Sequence, residues 1–163
     1  MSYKKCTVMF LIALILQLSL VNVISVFGIV PNLILCLVLI FSFLYDDGIK
    51  CLGFAVASGL ILDIVSAKYL GISSLSYIFV ILLVLIIRRI ITIDSIVSPI
   101  AVSVCGTLLF NSIVWIVMGI LGSWTGIFVM FKFQIMSILL NTIIVMIMYL
   151  IMVRRAVWYN RDR

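Results

Sequence analysis

One aspartate in a long apolar stretch is the residue in this sequence with the clearest potential for chemistry. From Ser58 to Ile87 the chain reads SGLILDIVSAKYLGISSLSYIFVILLVLII, and its formal charges are those of Asp63 and Lys68. A carboxylate on a helix at the centre of a bilayer costs roughly 2.5 to 3.5 kcal/mol on insertion scales. Asp63 could bind a ligand or a proton, or it could accept hydrogen bonds that join two helices. Either role requires a partner that offsets this cost.

Residue types that carry most membrane-embedded catalysis are missing from the chain. There is no histidine, which excludes an H-E-x-x-H zinc protease, a Ser-His dyad and a histidine proton relay. Asp63 is the one acidic residue in a predicted span, whereas a metal site or a paired-aspartate protease needs several carboxylates at one depth. The remaining acidic residues fall in predicted cytoplasmic segments: Asp46, Asp47, Asp94 and Asp162. We therefore predict no enzyme, no cofactor and no metal.

The cysteines give no sign of redox or metal chemistry. They form no C-x-x-C pair and lie in or beside apolar runs, at positions 6, 36, 51 and 105. Cysteines in such surroundings behave as small hydrophobic residues.

Polar side chains recur at helical spacing in three of the apolar runs. The three sets are Ala55, Gly59, Asp63 and Ser66; Ser103, Thr107 and Asn111; and Gln134, Ser137 and Asn141. Each set falls on one face of a helix, which predicts a bundle with a hydrogen-bonded interior and apolar side chains turned to lipid. Interhelical hydrogen bonding is the favoured interpretation of these stripes, and a substrate cavity is the alternative.

The composition predicts the membrane helices that position these residues. With 67% hydrophobic and 10% charged residues, the 163-residue chain cannot cover a water-soluble surface and is predicted to be an integral membrane protein. A span needs about 20 residues, so charged and turn-forming residues divide the chain into six. The predicted spans are about 7–27, 29–45, 51–67, 71–87, 96–121 and 127–153, within one polytopic all-α domain. The first run is interpreted as a retained helix, because no small-x-small cleavage site follows it.

Basic residues predict the orientation of the spans. With a cytoplasmic N-terminus, nine of the 11 Lys and Arg residues lie inside, and only Lys68 and Lys132 lie outside. Both termini are thus predicted to be cytoplasmic. The net charge of +6 is explained by this topology and by anionic lipid, so it does not indicate nucleic acid. Tyr69, Trp124 and Trp158 are predicted to anchor span ends at the membrane interfaces.

Two partners are open to Asp63. The first backbone N–H groups of the fourth helix, near Ser73 and Ser74, have no intrahelical acceptor and carry the positive end of the helix dipole. Lys68 is the nearest cation, and its long aliphatic side chain could bring the ammonium group back to Asp63. Either partner makes Asp63 a structural clamp on the hairpin of the third and fourth helices, which is the favoured interpretation over a ligand or proton site.

The same region resembles a known family. The stretches VPNLILCLVLIFSFLYDDG and GFAVASGLILDIVSAKYLGISSLSYIFV are similar to the rod shape-determining protein MreD family, which carries G-x-x-x-G-L-x-x-D and then a short connection with L-G. The matching positions are Pro31, Gly59, Leu60, Asp63, Leu70 and Gly71. Ala55 stands where the family often has its first glycine.

The resemblance implies a non-enzymatic scaffold subunit of the bacterial cell-elongation complex, which makes peptidoglycan at the cytoplasmic membrane. The implied partners are an MreC-like protein, MreB, a RodA-type polymerase and a class B penicillin-binding protein, with membrane lipid; a homodimer is left open. The candidate structural or partner-binding residues are Asp63, Gly59, Gly71, Lys68, Tyr69, Asn111, Trp124 and Asn141.

The family is also similar in fold to the six-helix substrate-binding subunits of energy-coupling-factor vitamin transporters, which gives the alternative function. Such a subunit commonly has an Ala-x-x-x-Ala surface on an early helix, and FLIALILQLSLVNVISVF lacks one. A lipid flippase or proton-coupled carrier would need more ionisable residues near the middle of the membrane than Asp63 alone. The sequence therefore favours the scaffold.

Overall fold

The chain folds into helices throughout the part that the structure, a computed structural model, describes. That part comprises residues 3–23, 30–44, 48–66, 70–90, 97–124 and 126–161, with side chains at 7–19, 30–44, 51–65, 70–90, 97–124 and 126–152. The six helices are α1 (Tyr3–Val23), α2 (Leu33–Leu44), α3 (Gly48–Ser66), α4 (Ile72–Ile90), α5 (Val97–Ile120) and α6 (Ile127–Arg161). The predicted all-α architecture is confirmed.

The short helix α2 lies at the centre of the bundle. It packs against each of the other five helices, which surround it in the order α1, α3, α4, α5, α6. Every residue from Ile34 to Phe43 is buried. A helix that is apolar on all sides is one that other helices cover completely, and the sequence LILCLVLIFSFL has this composition.

Close contacts of α2 with its neighbours, and of those neighbours with each other, form the core. Phe10 of α1 stacks on Phe41 of α2 with ring centroids 5.7 Å apart, and Tyr77 of α4 stacks on Phe110 of α5 at 5.1 Å. Gly106 of α5 lies directly against Leu39, and a Cβ at position 106 would collide with that side chain. These contacts hold α2 in place among the helices that surround it.

The described helices differ in whether they are long enough to cross a membrane, as the six predicted spans require. Three helices are long and apolar enough to cross a membrane, at Ile72–Ile90, Val97–Ile120 and Ile127–Met152. The apolar segments described in the others are shorter: Thr7–Ser19, Leu33–Leu44 and Cys51–Val65. The 12 residues of α2 rise about 18 Å, against a hydrocarbon core of about 30 Å. Three helices thus fit the predicted membrane protein, and the count of six spans stays a prediction.

Helix α6 extends beyond the limit predicted for its membrane span, because charged residues end an apolar run without ending the helix. α6 continues to Arg161, eight residues past the predicted end at 153, because Arg and neighbouring residues there remain compatible with a helix. α1 begins at Tyr3, four residues before the predicted start of its span, and the predicted limit at residue 27 lies outside the described residues. Gly71, with a φ of 91°, adopts the left-handed turn that precedes α4.

Candidate functional site in the polar interior

Asp63 accepts hydrogen bonds from the backbone at the start of α4. Its side chain is 6% exposed, and Oδ2 lies 2.9 Å from the Gly71 nitrogen and 3.1 Å from the Ser73 nitrogen. The Ser73 N–H also lies 3.4 Å from Oδ1. These donors precede or begin α4, so α4 cannot satisfy them itself. Of the two partners open to Asp63, the structure shows the backbone N–H groups, at Gly71 and Ser73 rather than at Ser74. Lys68 lies outside the described residues.

The hairpin of α3 and α4 is also joined one turn below Asp63. A Cβ placed on Gly59 would lie 2.8 Å from the Ser74 nitrogen and 2.9 Å from its Cα, so α3 and α4 meet backbone to backbone there. The Ser74 hydroxyl donates to the Val56 carbonyl at 3.0 Å. Ala55, a turn further along α3, is fully buried. Small residues at this spacing permit the close packing that membrane helices use.

Replacing Gly59 by alanine is expected to destabilise the protein, whereas the same change at Gly53 is not. The new methyl group at position 59 would press on the backbone of Ser74, which lowers the free energy of unfolding by about 1 to 2 kcal/mol. A Cβ at Gly53, in the same helix, has no atom within 4 Å, and alanine favours the helix. Thermal unfolding of both variants in detergent checks this; equal stability of the two would contradict the close packing at Gly59.

A second polar cluster caps the half-buried N-terminus of α2. We name it the α2 cap cluster; it consists of Gln17, Asn32, Tyr77, Thr107 and Asn141 from five different elements. The Asn32 N–H donates to Asn141 Oδ1 at 3.0 Å, and the Leu33 N–H donates to Gln17 Oε1 at 2.7 Å. The Asn32 side chain accepts from the Leu35 N–H at 2.9 Å as an N-cap.

The α2 cap cluster extends to α4 and α5 through side chains. The Tyr77 hydroxyl donates to Asn32 Oδ1 at 3.1 Å, and Asn141 Nδ2 donates to Thr107 Oγ1 at 3.4 Å. The first N–H groups of a helix need acceptors wherever they are removed from water. Here α1 and α6 supply those acceptors, so the cluster fixes the position of α2 relative to four other helices.

Polar side chains on α5 and α6 form a third set of contacts. Ser103 Oγ lies 3.1 Å from Thr142 Oγ1, and Gln134 Nε2 donates to the Leu108 carbonyl at 3.2 Å. The predicted hydrogen-bonded interior is confirmed for four buried residues: Ser103, Thr107, Gln134 and Asn141. Ser137 is buried as well. Asn111 is only partly buried, and its Nδ2 has no hydrogen-bond partner in the part of the chain that the structure describes. The side chain of Ser66 is not among those described.

Of the remaining predicted site residues, Trp124 lies in the described part of the chain. Trp124 follows α5, is exposed and packs edge to face on Trp115 with centroids 5.2 Å apart. Tyr69, like Lys68, lies outside the described part of the chain. No group of three or more His, Cys, Asp or Glu side chains that could hold a metal occurs among the described residues.

Sequence reasoning missed three members of the α2 cap cluster: Gln17, Asn32 and Tyr77. A signal for Asn32 was present, because Pro31 and Asn32 directly precede an apolar run, and Asn is a preferred N-cap residue. Gln17 carries a weaker signal as an uncharged polar residue in the middle of an apolar run. Nothing in the periodicity of α4 distinguishes Tyr77 from an apolar core residue.

These features define a helical membrane protein whose interior polar groups join its own helices. The family model described as rod shape-determining protein MreD matches residues 3–155, nearly the whole chain. The chain therefore belongs to the MreD family of rod shape-determining membrane proteins, and the predicted resemblance is confirmed. That family is one of structural, shape-determining proteins rather than of enzymes. No curated protein and no solved structure matches the chain.

Proposed function

We propose that this chain is a membrane scaffold of the bacterial cell-elongation complex, and that it acts by binding membrane-anchored partners. The partner that best fits the family is an MreC-like protein, with MreB, a RodA-type polymerase and a class B penicillin-binding protein in the same complex. The proposal places the chain in the cytoplasmic membrane as a multi-pass protein. Its function is then to hold partners together during peptidoglycan synthesis rather than to catalyse a reaction.

The hydrogen bonding of the α2 cap cluster is the observation that carries this proposal. Asn32 and Asn141 both bond to other residues of the chain, and Gln17 accepts from the backbone of α2. A subunit that binds a vitamin would direct several such groups toward its ligand. Because these side chains instead cap a helix and link its neighbours, they favour a rigid scaffold over the solute-binding alternative.

Partners must then meet the protein through its surface. We propose two sites on the outer side, around Tyr69 and around the exposed Trp124, where the stem of a single-span partner would rest. Aromatic residues are enriched at binding hot spots, although they also occur at lipid interfaces. The arginine pairs at 88–89 and 154–155 are interpreted as topology signals and lipid contacts.

Photocrosslinking from Tyr69 and Trp124 tests this proposal. A photoreactive residue at each position, in living cells, is expected to give an adduct with one membrane-anchored protein. A matched probe at Leu82, which is exposed on α4, is expected to label lipid. Adducts only to lipid at all three positions, together with saturable uptake of a small molecule, would contradict the scaffold and favour the transporter subunit.

Orientation is part of the same proposal. With both termini cytoplasmic, cysteine introduced at Lys68 is expected to react with a membrane-impermeant maleimide in intact cells, and cysteine at Arg155 only after lysis. The four native cysteines are replaced by alanine beforehand. Labelling of Arg155→Cys and protection of Lys68→Cys in intact cells would reverse the topology and the assignment of Trp124 to the outer side.

A further inference from the structure

The hairpin of α5 and α6 extends further on one side of the bundle than the start of α4. Tyr77 of α4 and Asn141 of α6 both bond to Asn32, so the three residues lie at a common level. From that level α4 reaches back about 8 Å to its first residue, Ile72, whereas α6 reaches back about 21 Å to Ile127. The two helices begin on the same side of the bundle. α6 therefore begins about 13 Å beyond the start of α4.

The projecting part of α6 is exposed on all sides. From Ile127 to Phe133 every residue except Met130 is exposed, and seven consecutive positions of a helix cover its whole circumference. We name this region the α5–α6 tip; it consists of residues 119–124 and 126–133. On α4, by contrast, the large exposed side chains before its basic end form one stripe at helical spacing: Leu75, Phe79, Leu82 and Ile86. The exposure of the tip thus differs from that of a helix with one face toward lipid.

A Schellman motif fixes the shape of the α5–α6 tip. The Ser123 N–H donates to the Met118 carbonyl at 2.9 Å, and the Gly122 N–H donates to the Gly119 carbonyl at 3.0 Å. Gly122 has the left-handed conformation that this motif requires, with a φ of 86°. The ring of Trp124 folds back over Gly119, where an added Cβ would lie 3.0 Å from it. An aromatic side chain held in this way before binding loses little entropy when a partner covers it.

Depth in the membrane divides the α5–α6 tip into two parts. Arg88 lies about 17 Å along α4 from Tyr77 and marks the cytoplasmic boundary in the orientation proposed above. A hydrocarbon core of about 30 Å then ends about 13 Å beyond the level of Asn141, on the outer side. Lys132, nine residues before Asn141, lies at that boundary. Phe128 lies about 20 Å beyond the level of Asn141 and is therefore outside the hydrocarbon.

The chemistry of the α5–α6 tip indicates what covers it. Phe128 is 87% exposed, at a depth where lipid chains do not reach it, and helical side chains lean toward the N-terminus, which is further outward here. Lys132 is the only charged residue between positions 95 and 153. The tip therefore combines an apolar end with one positive charge at the membrane boundary. A complementary surface has an apolar groove with a carboxylate beside it.

We propose that the α5–α6 tip inserts into an apolar groove on the extracytoplasmic part of the membrane-anchored partner, and that a carboxylate beside this groove pairs with Lys132. Trp124 and Phe128 are the anchors, since aromatic residues are enriched at binding hot spots. The charge pair sets the depth at which the groove meets the tip. This inference rests on the proposed function, and it adds the chemistry of the partner's surface and the residues that contact it.

Photocrosslinking at two depths of α6 tests what covers the tip. In living cells, a photoreactive residue at Phe128 is expected to give an adduct with the MreC-like protein. Ile135, exposed on the same helix and about 10 Å further into the membrane, is the matched control and is expected to label lipid. Adducts with lipid alone at both positions would overturn the proposal.

Carbodiimide crosslinking of native membranes tests the charge pair, because the reagent joins an amine directly to a carboxylate in contact with it. An amide between Lys132 and an Asp or Glu of the MreC-like protein is expected, identified by mass spectrometry of the linked peptides. Lys132→Arg keeps the charge, so it should retain binding and lose this product. Lys132→Gln should weaken binding about two- to fivefold in a neutral maltoside detergent. An unchanged affinity there would overturn the pairing with a carboxylate.

Affinity measurements separate failure of this inference from failure of the proposed function. With the purified full-length MreC-like protein, Phe128→Ala should lower the affinity about tenfold or more, and Ile135→Ala should leave it unchanged. Binding by both variants as tight as that of the unaltered chain would overturn the role of the tip and leave the scaffold, since the partner then binds elsewhere. No binding by the unaltered chain would overturn the proposed function and this inference with it.

Discussion

Replacing Asp63 by leucine is expected to lower the free energy of unfolding by about 3 kcal/mol, and replacing it by asparagine by about 2 kcal/mol. Leucine removes every acceptor from the Gly71 and Ser73 N–H groups, which lie 2.9 and 3.1 Å from the carboxylate. Asparagine keeps the shape and one oxygen, but it removes the charge that strengthens both bonds. Its amide group would also face a backbone donor.

Removal of the Asp63 charge also has a stabilising effect, and the predicted loss of stability requires that this effect be the smaller one. Removing a carboxylate from an apolar region is favourable by itself, and replacing buried charges can stabilise a protein. Asp63, however, lies in the last turn of α3, close to the end of the helix, where the cost of the charge is reduced. The orphaned N–H groups at the start of α4 therefore dominate.

Thermal and denaturant unfolding of the purified variants measures this effect. Ser73→Ala is the matched control, since it keeps the backbone N–H that donates to Asp63 and should be close to the unaltered protein. If Asp63→Asn kept full stability and still bound its membrane partner, Asp63 would not be a structural clamp, and a ligand or proton role would become the better account.

The second large effect is expected at Asn141. Its side chain is 2% exposed, accepts from the Asn32 N–H and donates to Thr107 Oγ1. Asn141→Leu has a similar volume but leaves the half-buried N–H of Asn32, at the start of α2, without its acceptor. We expect a loss of about 2 to 3 kcal/mol, because capping by another helix is what holds α2 in place.

Asn111→Leu is the matched control for Asn141→Leu. Both are asparagines on neighbouring helices, but Asn111 Nδ2 has no hydrogen-bond partner among the described residues. In detergent, its replacement should change the free energy of unfolding by less than about 0.5 kcal/mol. Equal losses for the two substitutions would mean that the α2 cap cluster has no special role in stability.

The contact of Asp63 with α4 could be predicted because it depends on local chemistry. A carboxylate a few residues before a tight connection meets the free N–H groups of the next helix in any close antiparallel pair. The polar faces of α5 and α6 follow in the same way from helical spacing. Gly59 could be predicted as part of a small face, and its backbone contact with Ser74 is a consequence of that face.

The central position of α2 could not be read from the division into spans. Treating each apolar run as an equal span hides the difference between a helix that faces lipid and one that other helices surround. The relevant signal was that α2 is both the shortest run and apolar on every side. The α2 cap cluster joins residues 109 positions apart, as between Asn32 and Asn141, and such pairings depend on tertiary packing that periodicity does not encode.

Co-purification from native membranes tests the central claim most directly. An affinity-tagged form of this chain, extracted in a mild detergent and isolated without crosslinking, should bring down a membrane-anchored MreC-like protein in a stable ratio. Asp63→Leu, which weakens the α3–α4 hairpin, should reduce that yield in proportion to the folded protein that remains. Recovery of the chain with a nucleotide-hydrolysing transport complex and a bound vitamin, and without an MreC-like protein, would contradict the account.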